Sequence, residues 1–342
     1  MKRPNPYKIH FICHGNTFRS RLAAAYLATI IDADYAVSSS GLRANHADSP
    51  VVEPFAAALA KAHGLSFQLD RPRTLTTDAL LAAADVLVFL QNDVYQEAQL
   101  AFNFDSRKAL VWSIDDIDDG LKAEILADGS EAAMRQATEP IFQKIKAQCD
   151  ELKQYMTRGS WVDVVDKADR PSGLRLPISM VSDKGLWHRG VRVIVKTSDE
   201  KFIVEKRSQT MVYGPGRLEI GVGGLIDAGE LPAVAARRET SEEVGLKAPA
   251  KAFRPLFKYR VVAYHPHYKT QTRTHIYTYA VTVPAHSSRL NLQKEEVAAA
   301  YWLSKRQIKQ LLRAHRLKHI GQLTWDYKLF RLAVAASELN HL

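Results

Sequence analysis

Gly223-Gly224-Leu225-Ile226-Asp227-Ala228-Gly229-Glu230, then Leu231 to Arg237, then Arg238-Glu239-Thr240-Ser241-Glu242-Glu243-Val244-Gly245-Leu246, is the stretch around which the rest of the chain can be organised. Pro232 suits the first turn of a helix, Ala233–Ala236 extend it, and Gly245 stops it. Glu239, Glu242 and Glu243 stand at i, i+3 and i+4, so a helix carries them on one face. Carboxylates that close together repel unless something positive lies among them. Hard divalent cations such as Mg²⁺ or Mn²⁺ take carboxylate oxygens and keep room for phosphate oxygens. Arg238 can tie the helix back to a neighbouring carboxylate such as Glu230. An exposed acidic helix, common for Glu-rich segments, explains neither the glycines at both ends nor the spacing.

Outward from this helix the sequence reads as β-type runs: Trp161–Val165, Val191–Val195, Phe202–Glu205, Phe257–Val262 and Thr274–Val283. One helix among strands is an α+β layout. The pattern changes at the polar joint Thr157-Arg158-Gly159-Ser160. Before it, strands and helices alternate: Tyr7–Ile12, Arg19–Ile31, Tyr35–Ser39, Val51–His63, Thr76–Ala84, Val86–Leu90, Ala109–Trp112 and a long helix near Glu131–Met156. That alternation, with apolar strands, implies an α/β doubly wound parallel sheet covered on both faces. A chain of 342 residues exceeds one core of ordinary size. The expected domains are therefore residues 1–157 and 160–342.

The helix motif resembles the signature of the Nudix family: Gly, five residues, Glu, seven residues, Arg-Glu, an apolar residue, any residue, Glu-Glu, any residue, Gly, apolar. Gly224, Glu230, Arg238, Glu239, Glu242, Glu243, Gly245 and Leu246 fall in place, and Thr240 stands where an aliphatic residue is usual. Trp161–Asp166, Gly173, His188-Arg189-Gly190-Val191, Glu205–Ser208 and Pro215-Gly216 resemble the branch related to isopentenyl-diphosphate isomerase. Val222-Gly223-Gly224-Leu225 lacks the cysteine and metal-binding histidine that the isomerase uses there, which favours the hydrolase branch. The resemblance implies metal-assisted attack of water on a small-molecule diphosphate, of nucleotide type. It implies Glu239, Glu242 and Glu243 as ligands of Mg²⁺ or Mn²⁺, and one of them, such as Glu242, or a loop glutamate as base. Glu295 and Glu296 are candidates for the loop role, or else part of a solvated strand edge. His265, His267 and His275 have no tight metal-site spacing. Tyr213 or Tyr264 could stack on a base.

A second constellation, Cys13-His14-Gly15-Asn16-Thr17-Phe18-Arg19-Ser20, lies between the first strand and its helix. In such a sheet ligands bind beyond the carboxyl ends of the strands. A loop there turns backbone N–H groups toward an anion, and the helix N-terminus adds a positive field. A cysteine so placed is favoured as the nucleophilic thiolate. Arg19 can clamp phosphate with its planar fork.

This loop resembles that of the low-molecular-weight protein tyrosine phosphatases, Cys-x-Gly-Asn-x-Cys-Arg-Ser-Pro, and the likeness runs over about Tyr7–Tyr155. It implies Cys13 as nucleophile, Arg19 as clamp, Asn16 as loop-shaping residue, Ser20 as support of the thiolate, and residues 14–20 as the phosphate cradle. A phosphoprotein or phosphometabolite would then be the partner. Phe18 replaces the second loop cysteine, Arg21 the proline, and Trp112-Ser113-Ile114-Asp115-Asp116-Ile117-Asp118-Asp119-Gly120 the acid Asp-Pro motif. Asp116 aligns best as the general acid, with Asp119 the alternate. Two other readings of this domain are a non-catalytic phosphate-binding module and an arsenate-reductase relative, for which Cys149 is a poor second thiol.

Composition bounds the rest. Two cysteines, Cys13 and Cys149, exclude a disulfide framework and fit a reducing compartment, so a cytoplasmic location is expected. No apolar run reaches the roughly 20 residues that span a bilayer. The net charge of +10 is densest at Lys305–Lys318, where Arg306, Lys309, Arg313 and Arg316 share a helix face. A solvated face accounts for it, and a positive field draws small phosphates as readily as nucleic acid, so no nucleic-acid role is inferred.

Overall fold

A computed structural model describes residues 5–45, 53–65, 71–117, 119–211, 214–265, 270–285, 290–315, 331–332 and 334–335. The chain folds as two compact units, Met1–Gly159 and Ser160–Leu342, each with its own sheet.

The first unit runs β1 (Tyr7–Cys13), α1 (Arg19–Ile30), β2 (Tyr35–Gly41), α2 (Pro54–Ala62), α3 (Asp78–Ala83), β3 (Val86–Phe89), α4 (Asn92–Ala101), β4 (Ala109–Val111), α5 (Asp119–Asp128) and α6 (Glu131–Thr157). Its four strands are all parallel in the order β2-β1-β3-β4. β1 is central because Ile9, Phe11 and Ile12 have no exposed surface and both its edges are paired. The chain leaves β1 toward β2 on one side and returns to β3 on the other. That reversal opens a crevice beyond Cys13 at the carboxyl end of β1. α4 and α5 stand where the sequence carries little periodic signal; in α4 only Val94 and Ala98 are buried.

The second unit runs β5 (Trp161–Val165), β6 (Pro171–Pro177), α7 (Ile178–Asp183), β7 (Trp187–Thr197), β8 (Lys201–Arg207), β9 (Leu218–Ile220), α8 (Pro232–Val244), β10 (Arg254–His265), β11 (Thr270–Val283), β12 (Val297–Ser304) and α9 (Lys305–His315). The path β10-β11-β7-β5-β6 is extended by β8, which pairs with β7, β9 and β12. β7 and β11 are parallel and the other pairings antiparallel, so this is the mixed α+β sheet expected. α8 lays Ala235, Ala236 and Val244 onto Val191, Val193, Val195, Ile203 and Val281. Its buried face also carries Glu239, Thr240 and Glu243. The Thr240 hydroxyl donates to Ala236 O at 2.8 Å, which allows a polar residue at an otherwise apolar position. Asp169, in the turn between β5 and β6, receives Arg189 Nε at 2.7 Å, Lys258 Nζ at 2.6 Å and Tyr277 Oη at 2.5 Å. Burial would raise its pKa, but these donors hold it at about 2, and the cluster ties the turn to β7, β10 and β11. No helix among the described residues is long and apolar enough to cross a membrane.

Candidate active sites

Cys13 is the last residue of β1 and almost fully buried. Its Sγ lies 3.0 Å from Ser20 Oγ and accepts the Asn16 N–H at 3.2 Å. Asn16 has a φ of 54°, the left-handed turn that folds the loop back over the sulfur. Its Nδ2 donates to Ser20 Oγ at 3.1 Å and Ser39 Oγ at 3.0 Å, and its Oδ1 accepts Thr74 N–H at 2.9 Å. The loop leans on the end of β2, where a Cβ at Gly41 would lie 2.5 Å from His14 O and 2.6 Å from Asn16 N. Only glycine permits that approach. Phe18, at the start of α1, gives no side-chain cap, which leaves the first-turn amides available to an anion.

Arg19 is 3% exposed and already held on three sides. Nη1 donates to Gln91 Oε1 at 2.6 Å and Ile114 O at 2.8 Å, and Nη2 pairs with Asp116 Oδ2 at 2.7 Å. Cys13, Asn16, Arg19, Ser20 and Asp116 are therefore gathered in one place, with His14, Gly15, Thr17 and Phe18 forming the rest of the loop. His14 faces Glu97 at 3.2 Å, and Glu97 is also gripped by Arg43 at 2.6 Å. Asp118 lies outside the described residues, as does the side chain of Asp119, which opens α5. Cys149 is buried on α6, its Sγ toward Ala23 O at 3.6 Å. Burial pushes its thiol far up.

His10 carries no signal in the sequence. Its ring is buried in β1 with Nδ1 and Nε2 each 2.7 Å from a hydroxyl, Ser38 Oγ and Ser40 Oγ. Burial lowers its pKa to about 4, so the ring is neutral and braces β2 behind the loop.

In the second unit Arg238 closes on Glu230 with two bonds, Nε to Oε1 at 3.0 Å and Nη2 to Oε2 at 2.8 Å, and donates to Leu225 O at 3.0 Å. Nη1 of the same guanidinium reaches Glu239 at 2.9 Å and Glu242 at 3.0 Å. The three expected ligands thus part company. Glu239 and Glu243 are buried, whereas the Glu242 side chain is 51% exposed. Among the described residues no three His, Cys, Asp or Glu side chains converge as a ready metal site.

Glu205 on β8 joins the buried pair. Burial, then the neighbouring Glu219 against the opposing Arg192 and Arg207, raises its pKa to about 8. Glu243 is pushed well up by burial and by Glu205 and Glu239, and it accepts Gly223 N–H at 3.1 Å. Burial raises Glu239 to about 7 despite Arg238. One oxygen of Glu205 is buried with no hydrogen-bond partner. The Glu239 carboxylate occupies the space over Gly224 where any Cβ would collide with it, which explains the glycine. Glu296 adds negative charge beside Glu239 and Glu243, while Glu295 is exposed. Buried, mutually destabilised carboxylates with an orphaned oxygen fit a hard divalent cation. Glu205 and Glu243, with Glu239 beside Glu243, are the residues that would hold it, although as they stand the three do not converge as a ready site. Glu205 was quoted in the sequence only as part of a family likeness; three-dimensional proximity makes it a site candidate.

His275 is buried, Nε2 at 3.0 Å from Asp166 O and its ring 4.8 Å from that of Trp187. His267, Tyr213 and Arg316, with the side chains of His265 and Arg313, lie outside the described residues. Tyr264 is 62% exposed, and on α9 Arg306 and Lys309 are exposed beside buried Ile308.

Two families match this chain. Low molecular weight phosphotyrosine protein phosphatase matches residues 8–160, and the NUDIX domain matches residues 186–324. Nudix hydrolase 3 of Arabidopsis thaliana is 29% identical over 144 residues, which are 41% of this chain and 19% of that protein. An uncharacterized Nudix hydrolase of Rhodococcus erythropolis is 28% identical over 149 residues, 43% of this chain and 78% of its own length. A low molecular weight protein tyrosine phosphatase from Streptococcus pyogenes aligns with a TM-score of 0.34 at 15% identity, covering 43% of this chain and 90% of that one.

Proposed function

From a chain that carries a low-molecular-weight-phosphatase-like domain fused to a Nudix-family domain, we propose a two-headed phosphohydrolase: a phosphomonoesterase at Cys13 and a diphosphate hydrolase at α8. The observation that carries the first reading is Cys13 Sγ between the Ser20 hydroxyl and the Asn16 amide, with Arg19 buried in the same loop. Cys13 Sγ attacks phosphorus, the P–O bond to the leaving alcohol breaks, and Asp116 gives that oxygen a proton. Water then cleaves the phosphocysteine, Asp116 taking its proton, and inorganic phosphate leaves. Asp116 rests on Arg19; an incoming phosphate that takes its place leaves the carboxylate to receive the Cys13 thiol proton and pass it to the leaving oxygen.

The second reading rests on the buried carboxylates Glu205, Glu239 and Glu243, the residues that would hold Mg²⁺ or Mn²⁺. When bound, such an ion neutralises phosphoryl charge and acidifies water. Arg238 keeps Glu230 and α8 in register, and Glu242 or Glu296 takes the proton of the attacking water. Gly223 and Leu225 offer neither thiol nor imidazole, so we assign hydrolysis rather than allylic isomerisation despite the likeness to the isomerase branch. The partners are a nucleotide-type diphosphate here, and a phosphoprotein or phosphometabolite at Cys13.

A panel of nucleoside diphosphate derivatives with Mg²⁺ or Mn²⁺, alongside an aryl phosphate, tests both readings. No turnover of any diphosphate with either ion would sink the second. The triple tether on Arg19 also supports a non-catalytic phosphate sensor. Phosphate binding without aryl phosphate turnover would favour that alternative.

A further inference from the structure

Arg21 is 2% exposed and stands where the resembling phosphatase loop has proline, a residue with neither charge nor donor. Its Nε donates to Asn16 O at 2.8 Å, and its Nη2 to Arg71 O at 2.5 Å. It therefore joins the Cys13 loop to the segment that also meets Asn16 through Thr74 N–H.

The bond to Asn16 O completes a set. The N–H of Asn16 is on Cys13 Sγ, its Nδ2 on Ser20 and Ser39, and its Oδ1 on Thr74. Arg21 takes the carbonyl. No peptide bond among the described residues is cis, and the C=O and N–H of a trans peptide point in opposite directions. Fixing Asn16 O on Arg21 thus turns the N–H of Thr17 away from the guanidinium. A charged donor on a carbonyl also polarises the peptide and strengthens its N–H as a donor.

We propose that Arg21 is a positioning residue of the phosphate loop: it orients and polarises the Asn16–Thr17 peptide so that the Thr17 N–H grips a phosphoryl oxygen. The proposal rests on the reading of the Cys13 loop as a phosphate cradle. Arg21 acts through the backbone and does not touch the anion.

The full chain is compared with Arg21→Lys, which keeps the charge but loses the fork, and Arg21→Met, which loses both. Inorganic phosphate is titrated as a protectant of Cys13 against iodoacetamide, and aryl phosphate kinetics are run in parallel. The phosphate concentration for half-protection should rise at least about tenfold in Arg21→Met and roughly threefold in Arg21→Lys, since a charge-assisted bond is lost or weakened. KM should rise with it while kcat changes less, because the amide grips the phosphoryl group in ground and transition state alike. A merely structural role would lower the fraction of active protein and leave KM unchanged. Protection undiminished in both variants overturns the role of Arg21 alone. Undiminished protection in Arg21→Lys does so by itself if Arg21→Met fails to melt cooperatively. No phosphate protection in the parent chain overturns the cradle reading and this proposal with it.

Discussion

Around Cys13 Sγ the neighbours are the Ser20 hydroxyl and the Asn16 amide, with Arg19 in the same loop; around Glu243 they are the Gly223 amide and other carboxylates. The floor of the first site is satisfied as it stands, with every polar group of Asn16 bonded. The second is not: Glu205, Glu239 and Glu243 are buried, each with its proton affinity raised, and Glu205 keeps an orphaned oxygen. On the proposed reading both arrangements serve phosphate, by opposite routes. A loop of preorganised donors receives an anion directly. A buried carboxylate set must first receive a cation. One chain can therefore hold two phosphate-directed sites with different demands on pH and metal.

The strongest test of this contrast separates the two chemistries. Cys13→Ser should lower aryl phosphate turnover by more than about 10³-fold, since no other group can form the phosphoenzyme. Diphosphate hydrolysis by the same variant should be unchanged. Parallel loss of both activities would mean that the sites are not independent.

Within α8 the contrast predicts a ranking. Glu243→Gln should cost about 10²-fold in diphosphate hydrolysis and the exposed Glu242→Gln roughly tenfold, because the buried charge is the one a cation must neutralise. Steady-state rates over a Mn²⁺ titration measure this, and the reverse order would place the cation on the outer edge of the helix.

Opposite pH slopes come next. In the second unit Glu205 and Glu239 bind protons more tightly in the folded state than at the ordinary glutamate pKa of 4.5, which rises to about 8 and 7. The folded state then carries more protons than the unfolded, so this contribution falls as pH rises from about 4.5 to 8. His10 and His188 have folded pKa values lowered by burial from 6.5 to about 4. Here the unfolded state carries more protons, so stability is lost as pH falls from 6.5 toward 4. In the first unit His10 contributes that acid loss. Hydrogen-exchange protection of peptides from 7–41 and 187–207 should therefore diverge between pH 6.5 and 8, and Mn²⁺ should flatten the fall in the second set. A common profile unaffected by Mn²⁺ would count against the carboxylate site.

The smallest effect concerns the acid. Asp116→Asn should reduce kcat/KM for an aryl phosphate only about two- to fivefold, because kcat/KM reports the phosphorylation step and a good leaving group barely needs a proton there. An alkyl phosphate should lose much more. Equal losses on both substrates would move the acid role to another group, Asp119 first.

Local order was legible wherever a pattern repeated. β1, α1, β5, α6 and α8 follow from apolar strands, Ala- and Leu-rich periodicity and the Pro232–Gly245 bracket. α4, β6 and β9 were not anticipated, because short elements with one or two buried residues take their conformation from their partners. The loop at Cys13 is readable as a unit because its donors are consecutive, and so is the tie from Arg238 on α8 back to Glu230 in the loop just before it.

What the amino-acid order determined, then, was two domain types and two sets of contiguous chemistry: the Cys13 loop with Arg19, and α8 with its glutamates and glycines. The tertiary structure alone decided that Asp116, far along the chain, rests on Arg19, and that Arg21 holds the loop carbonyl. It also sorted the glutamates, burying Glu239 and Glu243 with Glu205 while leaving Glu242 to Arg238 and solvent. Spacing along a helix fixes which face a carboxylate is near. Whether that carboxylate loses its water depends on which strands pack across from it, here β7 and, through Glu205, β8.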